Sequence, residues 1–477
     1  MTNQIKKVGV IGAGTMGAGI AGQVANAGVE VWLLDLPGDG ENVNSLAAKG
    51  LERLKDPDMP GLMSEKAEKL IKIGNTRDHF HELEDCDWIA EAVVERLDIK
   101  QSLYQRLNES CKESTIITSN TSTIPISLLT KGMPKKFCER FAITHFFNPV
   151  RFMRLLELVR GEFTRDDVIN TLDLFSETML GKGVVSCSDT PGFLANRVGV
   201  FAIQCALHKA FEYKLSPTEA DAFFGRPLGL PKTGVFGLYD LIGIDLMADV
   251  VKSLVSILPE NDAFHKYSSP IEIMTDMIAN GQTGNKNEKG FYKQVGDERQ
   301  VIDLLSRNYV AHERLKNSLL EEAEKTGVSF IINDKSSYGL YIWDVIAETL
   351  CYAASLVPEV TDDLTQIDDA MKLGYNWVKG PFELLDEIGI NYFVDRLKSD
   401  GRNVPEFLLN SLGNKFYKNS ESRLSFLSPD GNLKPIVRSD GVLRFSEVRQ
   451  TLKAINSNES ASWFEYEGAA IVEFHSK

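Results

Sequence analysis

The segment Val8-Gly9-Val10-Ile11, followed at once by Gly12-Ala13-Gly14-Thr15-Met16-Gly17, constrains the fold of this chain more than any other. Four residues of buried-strand character lead into the glycines, and Ile20, Val24 and Ala27, spaced for one helical face, predict a helix running to Gly28. A second strand over 29–34 ends on Asp35. In this strand–turn–helix–strand context, Gly12 permits the tight turn and Gly14 lets the backbone approach a pyrophosphate. Gly17 brings helix close to strand, and the helix N-terminus, with Thr15 and Met16, turns its amides to the phosphates. Asp35 would accept hydrogen bonds from an adenosine ribose and repel a 2′-phosphate, so NAD is expected rather than NADP. The same residues also permit a glycine turn that holds no ligand.

The stretch 44–73 carries Lys49, Arg53, Lys55, Lys66 and Lys69 and reads as helical. Its spacing favours a solvated helical pair over an arm reaching across an anionic substrate. Strands are predicted over 87–93 and 114–118, with an amphipathic helix near 99–107 between them. Alternating strands and helices imply a parallel, doubly wound sheet with ligands beyond the carboxyl ends of its strands. Glu95 and Ser119-Asn120-Thr121-Ser122 stand at those ends.

Two polar residues interrupt otherwise apolar strands: His145 in 141–149 and Glu157 in 152–159. A lone buried carboxylate is costly, so a partner is expected, and strands joined across Asn148-Pro149 could bring the two together. An imidazole oriented by a carboxylate is a general base suited to neutral pH. From the residues alone, a purely structural His–Glu pair stands beside that reading. His79 and His81 fit a solvated loop, and no metal site is expected.

At this point a resemblance enters. His145-Phe146-Phe147-Asn148-Pro149-Val150, the Ser119–Ser122 turn, and Asp189-Thr190-Pro191-Gly192-Phe193 with Asn196-Arg197 resemble 3-hydroxyacyl-CoA dehydrogenase, in the family's order, over about residues 5–300. The resemblance implies an enzyme of fatty-acid β-oxidation that takes L-3-hydroxyacyl-CoA to 3-ketoacyl-CoA with NAD. It implies His145 as the base, Glu157 as its orienting partner, Ser122 near the reacting oxygen and Asn196 at the substrate carbonyl region. Glu95, Lys100 and Asn148 match cofactor contacts, and Lys286 matches a lysine closing the cofactor site from the second domain. The 44–73 arm becomes a CoA contact on this resemblance. Two other readings compete: a related dehydrogenase acting on a free hydroxy acid, and a binding-only protein that kept the fold.

Past Asn196 the pattern turns helical and repeats. Asp221-Ala222, Gly225 and the run 234–245 form one copy; Asp369-Ala370, Gly374 and 380–391 form the other, with Asp240 and Asp386 146 residues apart. The second copy keeps Gly380-Pro381-Phe382-Glu383, whereas the first reads Gly234-Val235-Phe236-Gly237. The expected architecture is therefore an α/β Rossmann-type domain (1–188) and two mainly α-helical repeats (189–300 and 301–415). Residues 416–477 would be a polar linker and two orphan strands around Gly468. Those strands resemble the opening hairpin of a crotonase domain, which suggests a piece of a longer bifunctional chain; a native tail closing over the helical domain is the other reading. Single-repeat relatives pair as homodimers; here the second copy could take that place within one chain.

Length and charge narrow the remainder. At 477 residues several domains are expected. A formal charge of −15 argues against nucleic acid or an anionic membrane as the main partner, while leaving an acyl-CoA thioester and a β-oxidation partner such as a thiolase open. No apolar run suits a membrane span, no signal peptide is read, and six scattered cysteines suit reduced thiols, which together suggest the cytoplasm.

Overall fold

Short β-branched runs separated by helices build one eight-stranded sheet in the computed structural model, which describes residues 5–420, 423–449 and 451–475. The strands are β1 (Lys7–Ile11), β2 (Glu30–Asp35), β3 (Ile71–Asn75), β4 (Trp88–Glu91), β5 (Ile116–Ser119), β6 (Phe141–Phe146), β7 (Leu155–Arg160) and β8 (Gly183–Cys187). Their order is β3-β2-β1-β4-β5-β6-β7-β8. The first six run parallel. β7 turns back antiparallel to β6, and β8 follows parallel to β7. The order reverses between β1 and β4, so the glycine turn after β1 opens at the switch point where such sheets hold ligands.

One expectation needs correction here. Within 44–73 only Ser45–Arg53 and Glu65–Glu68 are helical, and β3 begins at Ile71. β3 is an edge strand whose exposed Lys72 pairs with Glu30 at 2.9 Å, so its apolar pattern is thin. β8, also unread in the sequence, is five residues beside β7.

Beyond the sheet, the helices Ala195–Glu212 and Ser337–Ser355 pack against each other, with Phe201 and Tyr352 stacked at 4.1 Å and Tyr341 Oη donating to the Ala206 carbonyl at 3.2 Å. Each leads one copy of the repeat, and buried carboxylates organise both. Asp221 accepts the Phe236 and Gly237 N–H groups and the Tyr292 hydroxyl. Asp368 accepts the Phe382 and Glu383 N–H groups and the Tyr417 hydroxyl. The counterpart of Asp221 is therefore Asp368, not Asp369, and Ala222 answers Asp369. Further along, Asp240 takes the N–H groups of Phe291 and Tyr292, as Asp386 takes those of Phe416 and Tyr417.

This second pair also corrects the expected linker. Tyr417–Ser420, Arg423–Leu427 and Leu433–Pro435 form an antiparallel three-stranded sheet that answers Tyr292–Val295, Glu298–Ile302 and Tyr309–Ala311 of the first copy. Polar, turn-rich composition hid strands whose outer face is wet. Arg438 and Arg444 then pair with Asp369, and Ser439 with Asp173 on the nucleotide-domain helix Asp166–Thr178. The strands around Gly468, Ala461–Tyr466 and Ala469–Phe474, pair with each other and with Asn456–Ser457. Phe464 is fully buried, facing Phe445.

Candidate active site

Antiparallel pairing of β6 and β7 sets His145 directly opposite Glu157. Nδ1 and Oε2 lie 2.7 Å apart, with the carboxylate fully buried. An ionised carboxylate only accepts, so Nδ1 carries the hydrogen and Nε2 is left with a lone pair facing the cleft. The other oxygen, Oε1, accepts the N–H groups of Leu194 at 3.0 Å and Ala195 at 2.7 Å. These open the helix Ala195–Glu212, which has no local side-chain cap. Glu157 thus caps this helix from a neighbouring strand, where the helix dipole favours a negative charge. Phe147 and Phe193 flank the imidazole with ring centroids at 4.7 and 5.8 Å.

Asn196 stands in the first turn of that same helix, so the element that anchors Glu157 also presents the amide. Arg197 turns away from the cleft, to Asp262, Glu359 at 2.8 Å and the Tyr352 hydroxyl at 3.2 Å, which ties the helix start to the second copy.

A cleft of about 1070 Å³ runs along the carboxyl edge of the sheet into the helical region. Met16, Glu95, Lys100, Ser122, His145, Asn148 and Asn196 all line it. Its far end is apolar, with Val200, Ile203, Phe224, Leu230, Leu238 and Trp377. From the 44–73 arm only Asp58 and Met59 reach the lining. Lys55 is taken up by Glu52 and Glu68, and Arg53 lies 3.4 Å from the Ala13 carbonyl.

The residues around the glycine turn fit NAD. Gly12 sits at φ +99°, and a Cβ there would meet the Ala92 carbonyl oxygen at 2.4 Å. A Cβ at Gly17 would meet the Gly12 carbonyl oxygen at 1.7 Å, whereas Gly14 faces open space. That opening, at the uncapped start of the helix Thr15–Asn26, leaves room for a pyrophosphate against its amides. Asp35 braces the turn by accepting the Ala13 N–H at 2.6 Å.

Lys100 belongs to a buried network that the sequence reading did not find, with the half-exposed Glu95 at its edge. Lys100 Nζ lies 2.7 Å from Glu91 and 3.2 Å from Glu95. Glu91 also accepts the Tyr104 hydroxyl at 2.5 Å, the Ser119 hydroxyl at 2.7 Å and the Val93 N–H at 2.8 Å. Burial pushes the Glu95 carboxyl up, but Lys100 and the hydroxyls of Thr121 and Thr123 outweigh it and hold it below its ordinary value. The available signal was a carboxylate closing a fully apolar strand. Asn120, read only as part of the Ser119–Ser122 turn, accepts the Phe146 N–H with its side chain at 2.9 Å, next to His145. Lys286, by contrast, is not brought to the cleft. Its ammonium is held by the Asp245 carboxylate at 2.6 Å, half exposed.

Residues 7–190 match the model of the 3-hydroxyacyl-CoA dehydrogenase NAD binding domain, and 192–294 that of the family's C-terminal domain. A "Probable 3-hydroxyacyl-CoA dehydrogenase" of Deinococcus radiodurans is 40% identical over 298 residues, 62% of this chain and 85% of that one. The chain belongs to the 3-hydroxyacyl-CoA dehydrogenase family. Its residues 7–190 are that family's NAD binding domain. Within the family, its likeness extends past the first repeat. A "Putative fatty acid oxidation complex trifunctional enzyme" of Rickettsia felis is 40% identical over 426 residues, covering 88% of this chain and 58% of that protein. A "Probable 3-hydroxyacyl-CoA dehydrogenase" of Bacillus subtilis is 31% identical, covering all of this chain and 63% of that protein. The chain thus spans less than two thirds of the length of these longer relatives. The solved 3-hydroxybutyryl-CoA dehydrogenase of Escherichia coli shares the fold, with a TM-score of 0.63 at 24% identity over 85% of this chain and 98% of that one. Among the described residues no helix is long and apolar enough to cross a membrane, and no three ligating side chains gather for a metal.

Proposed function

We propose that this chain oxidises the 3-hydroxyl of L-3-hydroxyacyl-CoA thioesters to the 3-keto group in fatty-acid β-oxidation. The observation that carries this is the relay Ala195 N–H···Glu157···His145, which leaves Nε2 open to a cleft shared by Ser122 and Asn196. His145 Nε2 removes the hydroxyl proton as C3 becomes a carbonyl, and Glu157 stabilises the imidazolium that forms. Ser122 and Asn196 hydrogen-bond the oxygen and the thioester region, holding C3 in line. NAD, when bound, supplies the hydride acceptor. Glu91 fixes Lys100, and Lys100 with Glu95 shapes the nicotinamide side; Asn148 flanks it. Lys286 would join that side only by exchanging its Asp245 partner. The apolar end of the cleft takes the acyl chain, and the 44–73 arm, whose Asp58 and Met59 line the cleft, contacts the CoA.

The same reading puts the enzyme in the cytoplasm and makes a thiolase, which consumes 3-ketoacyl-CoA, its functional neighbour. A homodimer through the first helical copy is the arrangement that single-repeat relatives suggest. The test follows NADH absorbance with L-3-hydroxybutyryl-CoA and longer L-3-hydroxyacyl-CoAs, against the free hydroxy acids and against NADP. NADH formed only from the thioesters supports the reading. Equal rates on free acids, or none on any thioester, would overturn it.

A further inference from the structure

Tyr375 comes from the second helical copy, yet it lies against the first copy's share of the cleft. It follows the helix Leu364–Gly374, which seats on the outer strands of the sheet: Gln366 accepts the Ser186 N–H at 2.8 Å. The approach is as close as glycine permits. A Cβ on Gly374 would meet Leu155 Cδ2 at 2.5 Å, and one on Gly183 would meet Leu373 Cδ1 at 2.5 Å. This seating lays the Tyr375 ring on Gly199, where a Cβ would lie 2.1–2.5 Å from three ring atoms. Gly199 and Asn196 are three residues apart on one helix, hence on one face. The phenol consequently reaches Asn196, donating to Oδ1 at 3.2 Å.

The segment beyond the ring is fixed as well. Asn376 adopts φ +54°, a left-handed conformation that asparagine tolerates. The Val378 N–H donates to the Gly229 carbonyl at 2.8 Å, which ties the loop to the first copy. Asn376 and Trp377 line the cleft alongside Tyr375. Desolvation, reinforced by the Glu157 carboxylate, pushes the Tyr375 phenol above its usual range, so it keeps its proton.

An asparagine amide can present either its oxygen or its N–H groups by turning over. Only the N–H groups favour an oxygen that gains negative charge, and a carbonyl there would repel it. We propose that Tyr375 is a positioning residue: by engaging Asn196 Oδ1 it locks the carboxamide with its N–H groups toward the substrate oxygen. The duplicated copy thus contributes a positioning side chain to a site whose reacting groups come from the nucleotide domain and the first copy. This rests on the dehydrogenase reading above.

Tyr375→Phe keeps the ring on Gly199 and removes only the hydroxyl, so the test uses the full chain with NAD and an L-3-hydroxyacyl-CoA. Expected is a fall in kcat of roughly five- to thirtyfold, with the KM for NAD and the melting temperature little changed. Adding Tyr375→Phe to Asn196→Ala should cost no more than about a further twofold, because the two act as one unit. A wild-type kcat in Tyr375→Phe overturns the proposal while leaving the reading intact. So does a loss that multiplies with that of Asn196→Ala, or one that follows only the folded fraction. A wild-type chain inactive on every thioester overturns the reading and this proposal with it.

Discussion

The two helical copies share a scaffold and divide the work unequally. Asp221 and Asp368 take equivalent pairs of N–H groups and an equivalent tyrosine, and Asp240 and Asp386 tie each copy to its own small sheet. A Cβ on Gly234 would strike Asp221, and one on Gly380 would strike Asp368, each at 2.3 Å. Only the first copy, however, caps its long helix with Glu157 and offers Asn196 to the cleft. The second instead carries Asp369 where the first has Ala222, and uses it to hold Arg438 and Arg444. Buried carboxylates that fold a copy are thus common to both, while the side chains facing the cleft or the tail differ.

The sharpest break in the comparison is chemical. His145→Gln should lower turnover by about 10²–10⁴-fold while NAD still binds. Pre-steady-state NADH formation and NAD titration by protein fluorescence separate the two effects. Turnover near wild type would remove the relay from the chemistry and with it the asymmetry between the copies.

Next in size is the clasp that only the second copy possesses. Burial pushes Asp369 up, but Arg438, Arg444 and Lys372 outweigh it and hold the carboxyl below its ordinary value. A depressed carboxyl contributes stability that is present above about pH 4, its unfolded range, and lost as pH falls through the lower folded value. Asp369→Asn should therefore cost about 3 kcal/mol at neutral pH, and wild type and variant should converge below about pH 4. Urea titrations at several pH values measure this, with limited proteolysis reporting release of residues 436–475. A gap unchanged at low pH would mean that the charge is not what fastens the segment.

Much of this was legible in the chain because it rests on local chemistry. The glycine turn, Asp35 and the opposition of His145 to Glu157 follow from spacings that a strand and a turn translate directly into geometry. What escaped depends on partners distant in sequence. Glu91 looks like the polar end of a buried strand until Lys100, Tyr104 and Ser119 converge on it. Tyr375 reads as a residue after a helix until Gly199 makes room for its ring. The repeat was aligned one residue off at Asp369 because two adjacent aspartates look alike in sequence, and only their hydrogen-bond partners tell the folding residue from the clasp.

If Asp221 and Asp368 are equivalent, their removal should cost alike. Asp221→Asn and Asp368→Asn each weaken a buried acceptor of three donors, for about 2 kcal/mol apiece in urea unfolding. Their effects should part in the assay. Asp221→Asn disturbs the Phe224 and Leu230 wall of the cleft and raises the KM for long-chain thioesters, whereas Asp368→Asn leaves the kcat of folded enzyme unchanged. Matching losses of affinity would show that the Asp368 turn holds Trp377 in the acyl end as firmly as Asp221 holds Phe224 and Leu230.

The smallest effect lies at the motif where the copies differ most plainly. In the second copy the Glu383 carboxylate accepts the Gly380 N–H at 2.8 Å and pairs with Lys372 at 2.8 Å. In the first, Gly234 has φ +65° instead of the −76° of Gly380, and the helix Phe236–Ile242 starts one residue later. A side chain at position 237 would begin 3.4 Å from an Asp221 oxygen, with Gly225 where Lys372 stands in the other copy. Glu383→Gly should then cost about 1 kcal/mol. Gly237→Glu should destabilise rather than repair, since it sets a carboxylate beside Asp221 with no lysine to balance it. Urea midpoints of the two variants decide the matter. A gain in Gly237→Glu would mean that the first copy lost its cap by drift alone, whereas a loss would mean that its altered turn had already closed the place a glutamate would occupy.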